Sequence, residues 1–106
     1  AYWAELSHSE IAAETGLPVG IKDVTPVAGV RTTFGSPLFV HHVPARDAAV
    51  VTRLRAAGAV IVGKTNCPEF AAGANTFNEV FGRTLNPWDT SRSAGGSTGG
   101  GAAALA

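Results

Sequence analysis

Five glycines fall within residues 95–101 of the run SAGGSTGGGAAALA (93–106), and four alanines and a leucine follow directly. Glycine at this density serves backbone that approaches another group closely, or that takes angles a Cβ forbids. The run must therefore pack against something. Gly95, Ser97 and Gly99 spell G-x-S-x-G, but a nucleophile elbow needs a strand before its serine and an acid and a histidine after it. All three histidines, His8, His41 and His42, precede Ser97. A phosphate loop needs G-x-x-x-x-G-K-[ST], and no lysine follows Thr98. Gly99, Gly101 and Ala104 match G-x-G-x-x-A, yet residues 90–93 do not read as a strand, which makes the match accidental. A flexible Gly/Ser linker is the default for such a composition, but an apolar run follows here with no polar break.

Composition narrows the class. Among 106 residues, 45% are hydrophobic and only 15% charged, which suits a buried α/β segment rather than a disordered tail. Eight basic residues balance eight acidic ones, and no basic patch advertises a nucleic-acid partner. Cys67 is the single cysteine, so no internal disulfide forms and a reducing, cytoplasmic setting is expected. No apolar run reaches membrane-spanning length. With no initiator Met and an end inside a helix-forming run, the chain is expected to be a piece of a longer protein.

Periodicity supplies a coarse map. Residues 2–14 are expected as a helix with Trp3, Leu6 and Ile11 on its apolar side, broken by Gly16 and Pro18. Residues 17–24 read as a short buried strand with Lys22 near its end, and residues 25–44 are turn-rich. Asp47 is the expected N-cap of a helix to Ala57, with Val50, Val51, Leu54 and Ala57 on one face. Gly58 ends it, and residues 59–62 form an apolar strand. A short helix over residues 68–72 and a long ordered loop to Gly101 complete the map, with Phe34, Phe39, Phe70, Phe77, Phe81 and Trp88 expected as core. Strand, connection, helix and strand fit an α/β sheet with covered faces.

Several ordered motifs then stand out together: LPVGIKD (17–23), AGAVIVGKTNCPEF (57–70), FG (81–82), NPWD (86–89) and GGSTGG (95–100). In this order and spacing they resemble the amidase signature family, over nearly everything from Gly16 onward. The resemblance implies an α/β fold, part of a mixed β-sheet core flanked by helices and incomplete in this chain. Residues 1–106 would be the N-terminal part of a single catalytic domain. It implies a Ser–cis-Ser–Lys hydrolase without cofactor or metal, acting on a small-molecule amide, with a homo-oligomer left open. Lys22 matches the family's catalytic lysine, and Ser97 matches the bridging serine whose preceding peptide bond is cis. Gly95, Gly96, Thr98 and Gly99 would support that site, and Ala71 and Ala72 fall where some relatives line the acyl pocket. The family's nucleophilic serine and oxyanion-hole amides would lie past Ala106. Thr98 departs from the serine often found there but keeps the hydroxyl.

The chemistry fits these residue types. Amide hydrolysis needs a base for the attacking serine and an acid for the departing amine, and a lysine can serve as both only when neutral. Desolvation favours the neutral amine, and Val19, Ile21 and Val24 are expected to supply it. Other readings compete. Lys64, Cys67 and Glu69 mimic a nitrilase triad in residue type, but a strand-end charge, a buried thiol and a helix-start carboxylate explain them. His41 and His42 lack a third ligand and read as a turn or surface pair. Two rivals to a free-standing amidase remain. One is the glutamine-hydrolysing A subunit of a tRNA-dependent amidotransferase, which residues 66–70 resemble less. The other is a non-catalytic binding relative.

Overall fold

The apolar run after Leu17 forms β1 (Pro18–Lys22), which pairs in parallel with β2 (Val60–Thr65) in a computed structural model that describes residues 16–106. The helix expected over residues 2–14 lies outside the described residues. Parallel strands require a long connection, and here it carries helix α1 (Ala49–Ala56). The register runs Val19 to Ile61, then Gly20 to Gly63, so Val62 has no partner and β2 carries a one-residue bulge. β2 continues past the expected end to include Gly63, Lys64 and Thr65.

The core sits between this sheet and α1. Ile21, Val27 and Val51 are buried together, with Val19, Ala48, Leu54 and Ile61 packed around them. Residues 48, 51 and 54 therefore form the inward stripe of α1. Val50, expected on that stripe, is exposed, because it lies a residue off the 48–51–54 spacing. Asp47 does not cap the helix. Ala48 occupies that position, while the Asp47 carboxylate accepts from Ala28 N at 2.7 Å and Arg55 Nε at 3.0 Å. Gly58 ends α1 as expected, at φ 90°. Its N–H donates to Arg55 O and that of Ala59 to Leu54 O, the paired bonds of a Schellman motif.

The stretch expected as one loop contains two short antiparallel ribbons, β3 (Phe77–Asn78) with β4 (Gly82–Arg83), and β5 (Leu85–Asn86) with β6 (Asp89–Ser93). Residues 90–93 are thus a strand. The G-x-G-x-x-A match still lacks its context, because β6 pairs antiparallel rather than opening a βαβ unit. The short helix expected over residues 68–72 is a single 3-10 turn, Glu69–Ala71, in which Phe70 and Ala71 are left-handed at φ 51° and 57°. Phe34, Phe39 and Phe70 cluster edge to face and stacked, with His42 against Phe34. Phe70, Phe77, Phe81 and Trp88 are exposed rather than core, the last three because they stand on, or at the turns of, ribbons only two strands wide. Helix α2 (Gly99–Ala104) starts inside the glycine run and packs against β1 and β2. Parallel and antiparallel pairs with flanking helices make this an α/β fragment with mixed strands. Among the described residues no helix is long and apolar enough to cross a membrane.

Candidate active site

The glycine run is short of side chains because three neighbours occupy the space. A Cβ on Gly96 would lie 3.0 Å from the backbone of residues 73–75, and one on Gly99 2.3 Å from Thr76 Oγ1. One on Gly100 would lie 2.3 Å from Asn66 N and 2.6 Å from Asn66 O. Hydrogen bonds follow the same contacts. Gly99 N donates to Thr76 Oγ1 at 3.0 Å, Gly100 N to Asn66 O at 3.2 Å, and Gly95 N to Ser93 Oγ at 3.0 Å. The Gly96–Ser97 peptide bond is cis.

This clamp gives a first test. Gly100→Ala in the intact protein is expected to cost at least about 1–3 kcal/mol, because the Asn66 backbone cannot rotate aside. Gly101→Ala is the control, its nearest neighbour being the Thr98 methyl at 3.1 Å. Thermal unfolding should drop several degrees for the first and little for the second. Equal midpoints would mean that α2 does not press on β2.

Held in this way, the loop delivers two hydroxyls to the end of β1. Lys22 Nζ donates to Ser97 Oγ at 2.7 Å and to Thr98 Oγ1 at 3.0 Å. Among the described residues no carboxylate forms an ion pair with Lys22. The expected source of desolvation needs correction. Side chains alternate along a strand, and Ile21 and Val19 face the α1 core, away from the Lys22 side. What packs around Lys22 is the loop and α2. Ala71 and Ala72 sit in the turn leading to Gly73, whose carbonyl oxygen is 3.0 Å from the Gly96 Cβ position.

The residues that hold the loop were not singled out in the sequence. Asn78 Nδ2 donates to Asn66 Oδ1 and to Cys67 O, both at 2.7 Å, while Asn78 Oδ1 accepts from Val80 N and Phe81 N. Asn66 Nδ2 reaches Thr84 Oγ1 at 3.0 Å. Three polar residues, Asn75, Thr76 and Asn78, within four positions of a glycine-poor stretch were the available signal. Lys64, Cys67 and Glu69 do not act together. Glu69 Oε1 accepts from Ser36 Oγ at 2.7 Å, and its turn offers no helix dipole. Cys67 is fully buried, and burial, then Asp23, pushes its thiol up from the ordinary value. Lys64 is no solvated strand-end charge. It donates to Thr25 O at 2.5 Å and Thr32 Oγ1 at 2.9 Å, and burial pulls its ammonium below the ordinary lysine value against the opposing pull of Asp23. His41 and His42 are exposed, and no group of metal-ligating residues gathers among the described residues.

Residues 4–106 match the Amidase family. The chain belongs to the amidase family. This amidase-family chain is 55% identical over 91 residues to the A subunit of glutamyl-tRNA(Gln) amidotransferase from Roseiflexus sp. (strain RS-1), an alignment covering 86% of this chain and 19% of that protein. Its fold matches the crystal structure of the same-named protein from Thermotoga maritima with a TM-score of 0.81 at 46% identity, over 86% of this chain and 20% of that one. It also matches allophanate hydrolase from Kluyveromyces lactis, with a TM-score of 0.79 at 34% identity, over 98% of this chain and 17% of the other. The chain thus spans about a fifth of the length of its relatives.

Proposed function

We propose that this chain carries the proton relay of an amide hydrolase, and that the observation supporting it most is the 2.7 Å approach of Lys22 Nζ to Ser97 Oγ. Lys22 is the base and Ser97 the bridge. A neutral amine keeps two N–H donors and one lone pair. Thr98 receives an N–H, and the lone pair takes the Ser97 proton as Ser97 takes one from an attacking serine elsewhere in the longer protein. The serine forms an ester with the acyl group, and the returning proton leaves with ammonia or an amine. Water then releases the acid. Gly95, Gly96, Thr98 and Gly99 keep the two hydroxyls in place, and Ala71 and Ala72 border the acyl side. The reaction as written needs no cofactor, and the setting is cytoplasmic.

The names of the curated relatives favour one variant of this reading. The substrate amide would then be glutamine, and the protein would work as one component of an amidotransferase complex rather than alone. Incubating the intact protein with an aryl amide and, separately, with glutamine separates the two. Hydroxylamine should divert the acyl group to a hydroxamate in either case. Hydrolysis of neither amide, with no serine acylated, would leave a non-catalytic relative.

A further inference from the structure

A threonine just before a helix ordinarily turns its hydroxyl back onto the helix's own first N–H groups. Thr98 stands at that position before α2 and makes no such bond. Its hydroxyl accepts from Lys22 Nζ instead. The N–H groups it leaves open are met from outside the loop. Gly100 N donates to the Asn66 carbonyl oxygen at 3.2 Å, and Gly99 N to Thr76 Oγ1 at 3.0 Å. Gly99 is buried and Thr76 is 1% exposed, so without this acceptor the Gly99 N–H would be enclosed and unsatisfied.

The ribbon holds Thr76 in place. Its carbonyl accepts from Thr84 N at 2.9 Å, in line with the β3–β4 register, and the Thr84 carbonyl accepts from Ala94 N at 3.3 Å. Its hydroxyl occupies the place that a Cβ on Gly99 would take. Among the described residues, Thr76 and Lys22 are the two side chains outside residues 93–106 that bond to the glycine run. We propose that Thr76 is a positioning residue: by standing in for the missing cap, it leaves the Ser97–Thr98 segment turned toward Lys22 and keeps the relay at hydrogen-bond length. This rests on the reading of Lys22 and Ser97 as the relay. With the acceptor gone, the peptide between Thr98 and Gly99 must rotate to find another, and it carries both hydroxyls off Lys22. The other two anchors do not substitute. Asn66 offers only its backbone carbonyl, and Ser93 bonds Gly95, two residues along its own segment.

Steady-state kinetics of the intact protein on an aryl amide test this. Thr76→Val keeps the side-chain volume and removes the acceptor. It should lower kcat by about 10²-fold, the cost of a displacement of about 1 Å, and leave KM unchanged. Thr76→Ser, which keeps the hydroxyl, should stay close to the parent. In a Ser97→Ala background Thr76→Val should cost only about twofold more, because the bridge it positions is already gone. A merely structural role predicts the same fractional loss in both backgrounds, and that result would overturn the proposal, as would a raised KM at constant kcat. If Thr76→Val does not fold, Thr76→Cys takes its place, since a thiol is a weak acceptor. The same split is expected at smaller size, and parent activity in that variant overturns the proposal. An intact protein that hydrolyses no amide would remove the relay reading, and the crystal structure of Thr76→Val then decides the positioning. Lys22 Nζ and Ser97 Oγ should part beyond hydrogen-bond distance, and a separation kept at 2.7 Å overturns the proposal.

Discussion

Lys22→Ala in the intact protein should lower amide hydrolysis by about 10⁴-fold, the upper end of what a positioned base contributes. Ser97→Ala should lower it less, by about 10²–10³-fold, because a trapped water can take over part of a bridging hydroxyl's role. The asymmetry follows from geometry: Lys22 Nζ is the point where the Ser97 and Thr98 hydroxyls converge. Lys22→Arg should not rescue, since a guanidinium does not give up its proton. Thr98→Val should cost least, since it removes an acceptor that orients Nζ and takes no part in the transfer. Steady-state kinetics on an aryl amide with all four variants checks the order. Equal, modest losses for Lys22→Ala and Ser97→Ala would show that Lys22 is not the base.

The 106-residue chain made by itself should show no amide turnover and no cooperative unfolding. Among the described residues only Ile21, Val27, Val51 and Cys67 are buried hydrophobics, while Leu38, Trp88 and Leu105 are more than 80% exposed. A core this small does not offset the conformational entropy of ordering the chain. A groove of about 680 Å3 between β1–β2 and α2, lined by Pro18, Val62, Ala102 and Leu105, adds apolar surface open to water. Such surfaces and unpaired strand edges favour self-association. Circular dichroism against temperature, with sedimentation velocity, should show a broad transition and aggregates. A sharp monomeric melt accompanied by turnover would instead place the attacking group within these residues and return Ser97 to consideration as the nucleophile.

Local sequence carried β1, α1 and β2, because each has its own period or its own stop signal. The start of α2 at Gly99 was hidden, since glycine is a poor helix former. Gly58 is the clearest case, since one residue specified both the end of α1 and its capping bonds. The ribbons β3–β6 were not legible, as strands of two residues have no alternation to detect and Asp89–Ser93 is polar throughout. Nor could local pattern place Phe70 and Ala71 in left-handed conformations, which non-glycine residues rarely adopt. For the site, Lys22 and Ser97 were singled out from motifs. Asn66, Thr76 and Asn78, which hold the loop, bond across long sequence separations and carry no periodic signature. The α1 stripe was right at Val51 and Leu54 and too wide at Val50 and Ala57, which are exposed, because Val50 and Val51 are equally apolar and only tertiary packing chooses between them.

The surplus residue in β2 has an effect that reaches both lysines. Were Val62 paired with Gly20 instead of bulged out, the register that starts at Pro18–Val60 would set Lys22 directly beside Lys64. Paired residues of neighbouring strands share a face, so two ammonium groups would compete for the same hydroxyls and the same carboxylate. With the bulge, Lys64 pairs with Ile21 and Lys22 with Thr65. Two chemically identical side chains are thereby sorted to opposite sides of one sheet, one to Asp23 and the other to Ser97. The division of labour between them is a matter of register: drawing Val62 into the ladder, with no residue left over, would merge the two environments without changing a single functional group.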